Sequence, residues 1–167
     1  MVWATFTVVS AVLVALDVLL KVWSEGWAQE WVQEGFQGRP QRVVIPGVLG
    51  LTYHENPGAA FGLLAGAAWG RTLLTVVVIL LLGAMLWYYW RMPLERRSWF
   101  IRVPLIFVFA GGLGNLIDRV AIGVVRDMLE FLFINFAIFN LADVFVTGGI
   151  FAILFFSLVI YRDFPYL

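Results

Sequence analysis

Long apolar stretches alternate with polar segments along the chain, and four of them are long. They lie at about residues 2–22, 70–90, 100–120 and 136–161. An α-helix needs about 20 mainly apolar residues to cross the hydrocarbon core of a bilayer. The pattern therefore predicts an all-α membrane protein, a four-transmembrane-helix bundle that makes up a single integral membrane domain over residues 1–167.

The composition also indicates that lipid is the main solvent of this surface. Of the 167 residues, 62% are hydrophobic and 13% are charged, whereas soluble domains are about half apolar and about a quarter charged. The net charge is zero and no run of like charges is long, so we expect no nucleic-acid partner. The chain has no cysteine and one histidine, His54, which excludes thiolate chemistry and metal sites built from several histidines.

The charges between the apolar stretches predict the orientation in the membrane. The short segment between the second and third stretches carries four cations and one acid, namely Arg91, Arg96, Arg97, Arg102 and Glu95. Because cytoplasmic loops are rich in Lys and Arg, we expect this segment and both chain termini to be cytoplasmic. The loops at about residues 23–69 and 121–135 are then extracytoplasmic.

The first of these loops is too long to be a plain connection. Between Gln41 and Leu51 it contains β-branched residues together with proline and glycine, a composition typical of strands and turns. We therefore expect a small extracytoplasmic β element in this loop, lying on the membrane surface.

Polar residues that the apolar stretches carry lie near one end of the predicted bundle. Together with two loop residues, the group consists of Asp17, Lys21, Asn56, Asp118, Arg119, Asp127, Asn140 and Asp143. Ionisable groups at membrane depth are costly and usually mark a functional site. An ion path would need polar groups along the whole depth of the bilayer, so this one-sided distribution favours a site near the outer leaflet.

Elimination narrows the chemistry of such a site. The chain has neither a G-x-S-x-G turn nor an H-E-x-x-H motif, so serine and zinc peptidase chemistry has no support. Carboxylates remain. In a pair of aspartates that share one proton, the ionised member activates a water while the protonated member polarises the scissile carbonyl.

Three segments resemble the signature blocks of signal peptidase II, the lipoprotein signal peptidase family of bacteria. They are Asn56-Pro57-Gly58-Ala59-Ala60-Phe61, the nine residues from Gly111 to Arg119, and Phe139-Asn140-Leu141-Ala142-Asp143. The pair Asp17 and Lys21 matches a fourth block. The blocks occur in the family's order within four predicted spans.

The resemblance implies an aspartic endopeptidase of the bacterial cytoplasmic (inner) membrane. Such an enzyme removes the signal peptide from diacylglyceryl-modified prolipoproteins by cutting just before the lipid-bearing cysteine. It implies no cofactor and no metal. We expect prolipoproteins and membrane lipids as partners and a monomeric protein.

The resemblance also assigns residues. Asp143 and Asp127 are the expected catalytic pair, the latter by counting from Asn115, and Asp118 stays open as the alternative partner of Asp143. The residues expected to bind or orient substrate are Asn56, Gly58, Asn115, Arg119 and Asn140; Asn140 has a plain helix cap as its alternative. Asp17, Lys21 and Asp118 are expected to be structural, with Asp118 paired to Arg119.

The residues beside Asp127 depart from the family pattern, which has apolar and aromatic side chains there. Arg126 precedes Asp127 and Met128 follows it. From the adjacent cation we expect a lowered pKa for Asp127. Two other functions stay open from the residues alone: a small transporter that uses Asp143 and Asp17 as relay groups, and a non-catalytic scaffold whose acids pair with Arg119 and Lys21.

Overall fold

Four helices and three strands make up the computed structural model, which describes residues 2–34, 41–58, 69–95 and 98–159. The helices are α1 (Val2–Gln33), α2 (Gly70–Arg91), α3 (Trp99–Ala121) and α4 (Leu141–Val159). The strands are β1 (Gln41–Ile45), β2 (Leu49–Asn56) and β3 (Val125–Phe131). All four helices are long and apolar enough to cross a membrane, which confirms the predicted four-span bundle.

The strands form one antiparallel sheet in the order β1-β2-β3. A tight turn joins β1 to β2, and Gly47 adopts a φ of 70° within it, a conformation that glycine tolerates best. The expected β element of the first loop is thus confirmed. The third strand was not predicted, because residues 121–135 were expected to be a loop. Its pairing with β2 places Asp127 opposite His54 and Val125 opposite Asn56.

Two helix boundaries differ from those expected. Helix α1 ends at Gln33 instead of near residue 22, because Trp27 and Ala28 pack with Leu51 and Met128 of the sheet in one buried cluster. This apolar contact gives the extra turns a covered face outside the apolar span. Helix α4 begins at Leu141 instead of near residue 136, and its expected end at residue 161 lies outside the described residues.

Helix α3 is the centre of the bundle and packs against each of the other three helices. It approaches α4 most closely where glycines remove side chains from the interface. A Cβ on Gly149 would lie 2.7 Å from the Pro104 carbonyl oxygen, and a Cβ on Gly111 would collide with the Ala142 carbonyl. Small residues are the usual means of close helix packing in lipid, where apolar side chains gain little by leaving the solvent.

Arg102, which the sequence placed with the loop cations, is buried at the start of α3. Its guanidinium donates to the carbonyl oxygens of Tyr89, at 3.3 Å, and Met92, at 2.6 Å, and stacks over the Tyr89 ring. Carbonyls at the C-terminal end of a helix carry partial negative charge, which a cation stabilises. Arg102 therefore connects the end of α2 to the start of α3.

The adjacent glycines of α4 provide a matched test of the α3–α4 contact. We expect Gly149→Ala to lower the free energy of unfolding by about 1–3 kcal/mol, because its Cβ meets the α3 backbone. Gly148→Ala is the control, since a Cβ there meets no atom within 4 Å. Denaturation of both variants in detergent measures the difference, and equal stabilities would show that the helices do not approach as described.

Candidate active site

The start of α4 holds Asp143 in a reciprocal pair of hydrogen bonds with Asn140. The Asp143 N–H donates to the Asn140 side-chain oxygen at 2.9 Å, and the Asn140 N–H donates to Asp143 Oδ2 at 3.1 Å. This is the geometry of a capping box, in which two otherwise unsatisfied backbone donors are paired. Asn140 is therefore a helix cap and orients Asp143 at the same time.

Asp127 lies on β3 and is buried, with 2% of the residue exposed. Its two carboxyl oxygens accept hydrogen bonds from different elements: Asn140 Nδ2 donates to Oδ1 at 2.7 Å, and Asn56 Nδ2 donates to Oδ2 at 3.2 Å. Asn56 ends β2, which the sheet brings beside β3. The side chain of Asn140 thus lies between Asp127 and Asp143 and forms a hydrogen bond with each of them.

Asn115 of α3 completes this bridge. Its Nδ2 donates to Asp143 Oδ1 at 2.8 Å, and its Oδ1 accepts a hydrogen bond from Asn140 Nδ2 at 3.0 Å. Both Asp143 oxygens accordingly accept N–H donors, as an acceptor-only carboxylate requires. Three elements, α3, β3 and α4, therefore meet at the two acids through the side chains of two asparagines.

The buried ammonium group of Lys21 contacts Asn115, which holds Asp143, and two further aspartates. Lys21 Nζ lies 2.7 Å from Asp17 Oδ2, 3.4 Å from Asp118 Oδ2 and 3.0 Å from Asn115 Oδ1, and the side chains of Lys21, Asp17 and Asp118 are fully buried. Asp17 also accepts the N–H of Ala142 at 2.9 Å, and Asp118 accepts the N–H of Arg126 at 3.0 Å.

The two backbone N–H groups that Asp17 and Asp118 accept have equivalent positions in the chain. Ala142 immediately precedes Asp143, and Arg126 immediately precedes Asp127. Asp17 thus holds the residue before Asp143, and Asp118 holds the residue before Asp127. Within the described residues the cations paired with Asp118 are Lys21 and Arg126, so the expected pairing of Asp118 with its neighbour Arg119 is wrong. Sequence adjacency on a helix directs successive side chains to different faces.

Arg119 instead contacts the turn that follows β2. Its Nη2 donates to the Gly58 carbonyl at 3.2 Å, and the Gly58 N–H donates to Asn56 Oδ1 at 3.0 Å. This local hydrogen bond is the turn that Asn-Pro-Gly sequences favour. Residues 59–61, the rest of that signature block, lie outside the described residues.

A cavity of about 620 Å³ opens in front of the acids. Its polar wall consists of Asn56, Asn115, Arg119, Asp127 and Asp143. The rest of the lining is mostly apolar and includes the α4 face formed by Val144, Thr147, Gly148 and Phe151. Val144 is 45% exposed and Phe151 is 67% exposed, so the cavity is continuous with the lipid-facing surface of α4.

The environment of Asp127 favours its protonated form. Burial raises the pKa of this carboxyl to about 7, and the negative charge of Asp143 adds to the rise, while the hydrogen bonds from Asn56 and Asn140 oppose it. The expected lowering of the pKa by Arg126 is wrong. The Arg126 guanidinium turns away and lies 2.6 Å from Asp118 Oδ1 and 2.9 Å from Glu25 Oε2.

Glu25 and the structural position of Arg126 are the site features that sequence reasoning missed. Glu25 lies on the part of α1 that was expected to be loop, and Arg126 was considered only as a neighbour of Asp127. Arg126 directly follows Val124 and Val125, and a cation next to apolar residues is a usable signal, because a buried charge needs a partner. In the described ranges no three acidic or histidine side chains are grouped as a metal site requires.

Comparison with known proteins gives one family. The family model described as signal peptidase (SPase) II matches residues 9–159. The lipoprotein signal peptidase of Streptococcus thermophilus is 45% identical over 106 residues, which are 64% of this chain and 66% of that protein. The lipoprotein signal peptidase of Latilactobacillus sakei is 41% identical over 107 residues, 64% of this chain and 68% of that protein. The aligned part thus spans just under two thirds of the first relative.

Two solved bacterial membrane enzymes have the same fold. One has a TM-score of 0.76 and 28% identity, with 98% of this chain and 92% of that chain covered. The other has a TM-score of 0.69 and 27% identity, with 93% of each chain covered. The fold and these relatives define a multi-pass bacterial membrane protein. The family model covers well over half of the sequence, and the chain belongs to the signal peptidase II family. The resemblance noted from the signature blocks is thereby confirmed.

The titration of Asp127 is open to direct measurement. We expect a protonated carboxyl signal that disappears with a midpoint near pH 7 and is missing from Asp127→Asn. Because the Asn56 N–H lowers the pKa of Asp127, Asn56→Ala should move that midpoint to higher pH. Infrared difference spectroscopy in detergent records the carboxyl band, and a midpoint near the ordinary value of 3.8 would contradict the described environment.

Removal of the Lys21 ammonium should destabilise the fold. Lys21→Met leaves the Asp17 carboxylate buried without its ion pair, and breaking a buried pair from one side costs about 3–5 kcal/mol. The double variant Asp17→Asn/Lys21→Met should recover part of that loss, because the amide oxygen still accepts the Ala142 N–H. Denaturation in detergent compares the two, and equal stability of the single and double variants would exclude this account.

Proposed function

We propose that this protein is an aspartic lipoprotein signal peptidase that removes the signal peptide from diacylglyceryl-modified prolipoproteins, cutting before the lipid-bearing cysteine. One observation carries the proposal: Asp127 and Asp143 are bridged by Asn140 and face the same cavity, which continues onto an apolar helix surface. The names of the lipoprotein signal peptidase relatives support the substrate class.

Different surroundings suit the two acids to different steps. Asp127, with its pKa raised to about 7, donates its proton to the scissile carbonyl oxygen. Asp143, whose oxygens accept N–H donors, takes a proton from water as the water oxygen bonds to the carbonyl carbon. When the C–N bond breaks, the proton on Asp143 passes to the leaving amine and a hydroxyl proton of the intermediate returns to Asp127. The pair ends in its starting state.

The cavity has a polar wall and an apolar wall, which match different parts of the proposed substrate. Asn56, Gly58 and Arg119 form a polar edge that lies beside the acids and matches a peptide backbone. The apolar α4 face below them matches the hydrophobic stretch of a signal peptide and the acyl chains of the lipid. Sideways entry from the bilayer keeps both apolar parts of the substrate out of water.

The orientation follows from the charge of the segment between α2 and α3, whose excess of arginine favours the cytoplasmic side. Both termini are then cytoplasmic. Asp143 at the start of α4 and Asp127 on β3 then lie near the outer leaflet of the inner membrane. Membrane lipids surround the exposed apolar faces of all four helices. The amide groups that hydrogen-bond to Asp127 and Asp143 all belong to the same chain as the two acids, which suits a monomer.

The two other functions are less consistent with these contacts. A transporter would need polar groups along the bundle, but the described network gathers at one end, and the opposite end is packed with Phe6, Tyr89 and Ile106. A scaffold would need the acids only for ion pairs. Asp127 and Asp143 instead accept hydrogen bonds from amides and line a cavity, whereas Asp17 and Asp118 make the ion pairs.

Single substitutions test the assignment of the acid pair. We expect Asp127→Asn and Asp143→Asn to remain folded and to lose cleavage of a diacylglyceryl-modified prolipoprotein by at least about 10³-fold, because neither variant can complete the proton transfers. Asp118→Asn should retain the chemistry and lose stability, because Asp118 holds Lys21 and Arg126. Cleavage by purified protein and thermal denaturation are measured for all three variants.

The outcomes distinguish between the possible functions and between the possible partners of Asp143. Activity in folded Asp143→Asn would exclude the aspartic mechanism. If Asp118→Asn were folded and inactive while Asp127→Asn cleaved, Asp118 would be the partner of Asp143. A wild-type protein without cleavage would remove the peptidase function altogether.

A further inference from the structure

The end of α1 that lies beyond the apolar span makes an ion pair with the strand that carries Asp127. Glu25 Oε2 lies 2.9 Å from Arg126 Nη1, and the Glu25 side chain is 33% exposed while that of Arg126 is 9% exposed. The same guanidinium contacts the buried Asp118 at 2.6 Å through its other terminal nitrogen. Arg126 is therefore held between two carboxylates that belong to α1 and α3.

Strand geometry connects this ion pair to the acid. Arg126 and Asp127 are adjacent in β3, so a shift of the backbone at Arg126 also moves Asp127, although the two side chains point to opposite faces of the strand. The backbone of Arg126 is held as well: its N–H donates to Asp118 Oδ2 at 3.0 Å, and its carbonyl accepts a hydrogen bond from Asn140 Nδ2 at 3.3 Å. Asn140 Nδ2 is also the donor to Asp127.

We propose that Glu25 is a positioning residue, which acts through Arg126 to hold strand β3 so that Asp127 keeps its hydrogen bond to Asn140 and its alignment with Asp143. This inference rests on the proposed aspartic mechanism. The α1 extension beyond the membrane is thereby part of the catalytic apparatus, although no atom of Glu25 lines the cavity.

The partial exposure of Glu25 decides how the proposal is tested. Asp118 and Lys21 are fully buried, so in their variants any change in activity could not be separated from the loss of stability. Glu25 lies at the edge of the network and is 33% exposed, so its ion pair is partly solvated and contributes less to stability than the fully buried pairs. Its removal leaves Arg126 paired with Asp118 but frees the other end of the guanidinium, so β3 gains freedom while the fold persists.

The first experiment compares Glu25→Ala, Glu25→Gln and a control, Glu30→Ala, in detergent with a diacylglyceryl-modified prolipoprotein. Glu30 lies on the same extension and is exposed. We expect Glu25→Ala to lower kcat about tenfold with KM within about twofold of wild type, because a displacement of 1 Å can cost about 10²-fold in rate. Glu25→Gln keeps a hydrogen-bond acceptor for Arg126 and should recover part of the loss, and Glu30→Ala should match wild type.

Thermal denaturation separates positioning from plain stability. The proposal expects Tm values of all three variants within a few degrees of wild type, with kcat measured well below them. A wild-type kcat in Glu25→Ala would overturn the inference while the acid pair stood. A raised KM with unchanged kcat, or a loss that follows Tm, would also overturn it. A wild-type protein without cleavage would instead show that the proposed function itself has failed.

A second variant tests the connection through Arg126. Arg126→Lys keeps the charge but has a single nitrogen in place of the two that contact Asp118 and Glu25. If Glu25 acts through Arg126, Glu25→Ala should lower kcat much less in the Arg126→Lys background than in wild type. Equal and additive losses in the two backgrounds would overturn the proposed connection.

Discussion

The buried ammonium of Lys21 lies between the carboxylates of Asp17 and Asp118, and the geometry of the polar end of the bundle depends on it. Removing an ion from water costs several kcal/mol, and attraction to partners offsets this only when the geometry is good. A slide of α1 along α3 would leave an unpaired charge in a medium of low dielectric constant. The apolar surfaces impose no comparable penalty, because lipid tails solvate them as well as another helix does.

The same charges hold the two elements that carry the acids. Asp17 accepts the N–H of Ala142 at the start of α4, and Asp118 accepts the N–H of Arg126 on β3. Space for this arrangement comes from Gly114, where a Cβ would lie 2.5 Å from Asp17 Oδ2. A network of alternating charges and small residues thus replaces the apolar core that positions an active site in a soluble enzyme.

Amide side chains then distinguish the two acids proposed to be catalytic from the two that form ion pairs. Asn140 and Asn115 supply neutral donors to Asp127 and Asp143, and in the part of the chain that the structure describes neither acid forms a salt bridge. Burial and the charge of Asp143 raise the pKa of Asp127, and a cavity opens in front of it. Asp17 and Asp118 thus form ion pairs, whereas Asp127 and Asp143 accept hydrogen bonds from amides and line the cavity.

The sequence alone determined the four spans, the β element of the first loop, the gathering of polar residues at one end and the family. These features depend on local composition, helical spacing and signature blocks, which need no knowledge of distant contacts. The roles of single residues at the acid pair remain proposals.

Tertiary structure decided the length of α1, the existence of β3 and the partner of Asp118. Each of these depends on a pairing between segments far apart in the chain: Trp27 of α1 with the sheet, β3 with β2, and Asp118 with Arg126. Spacing along one helix predicts which side chains share a face, but only the assembled bundle determines what that face meets.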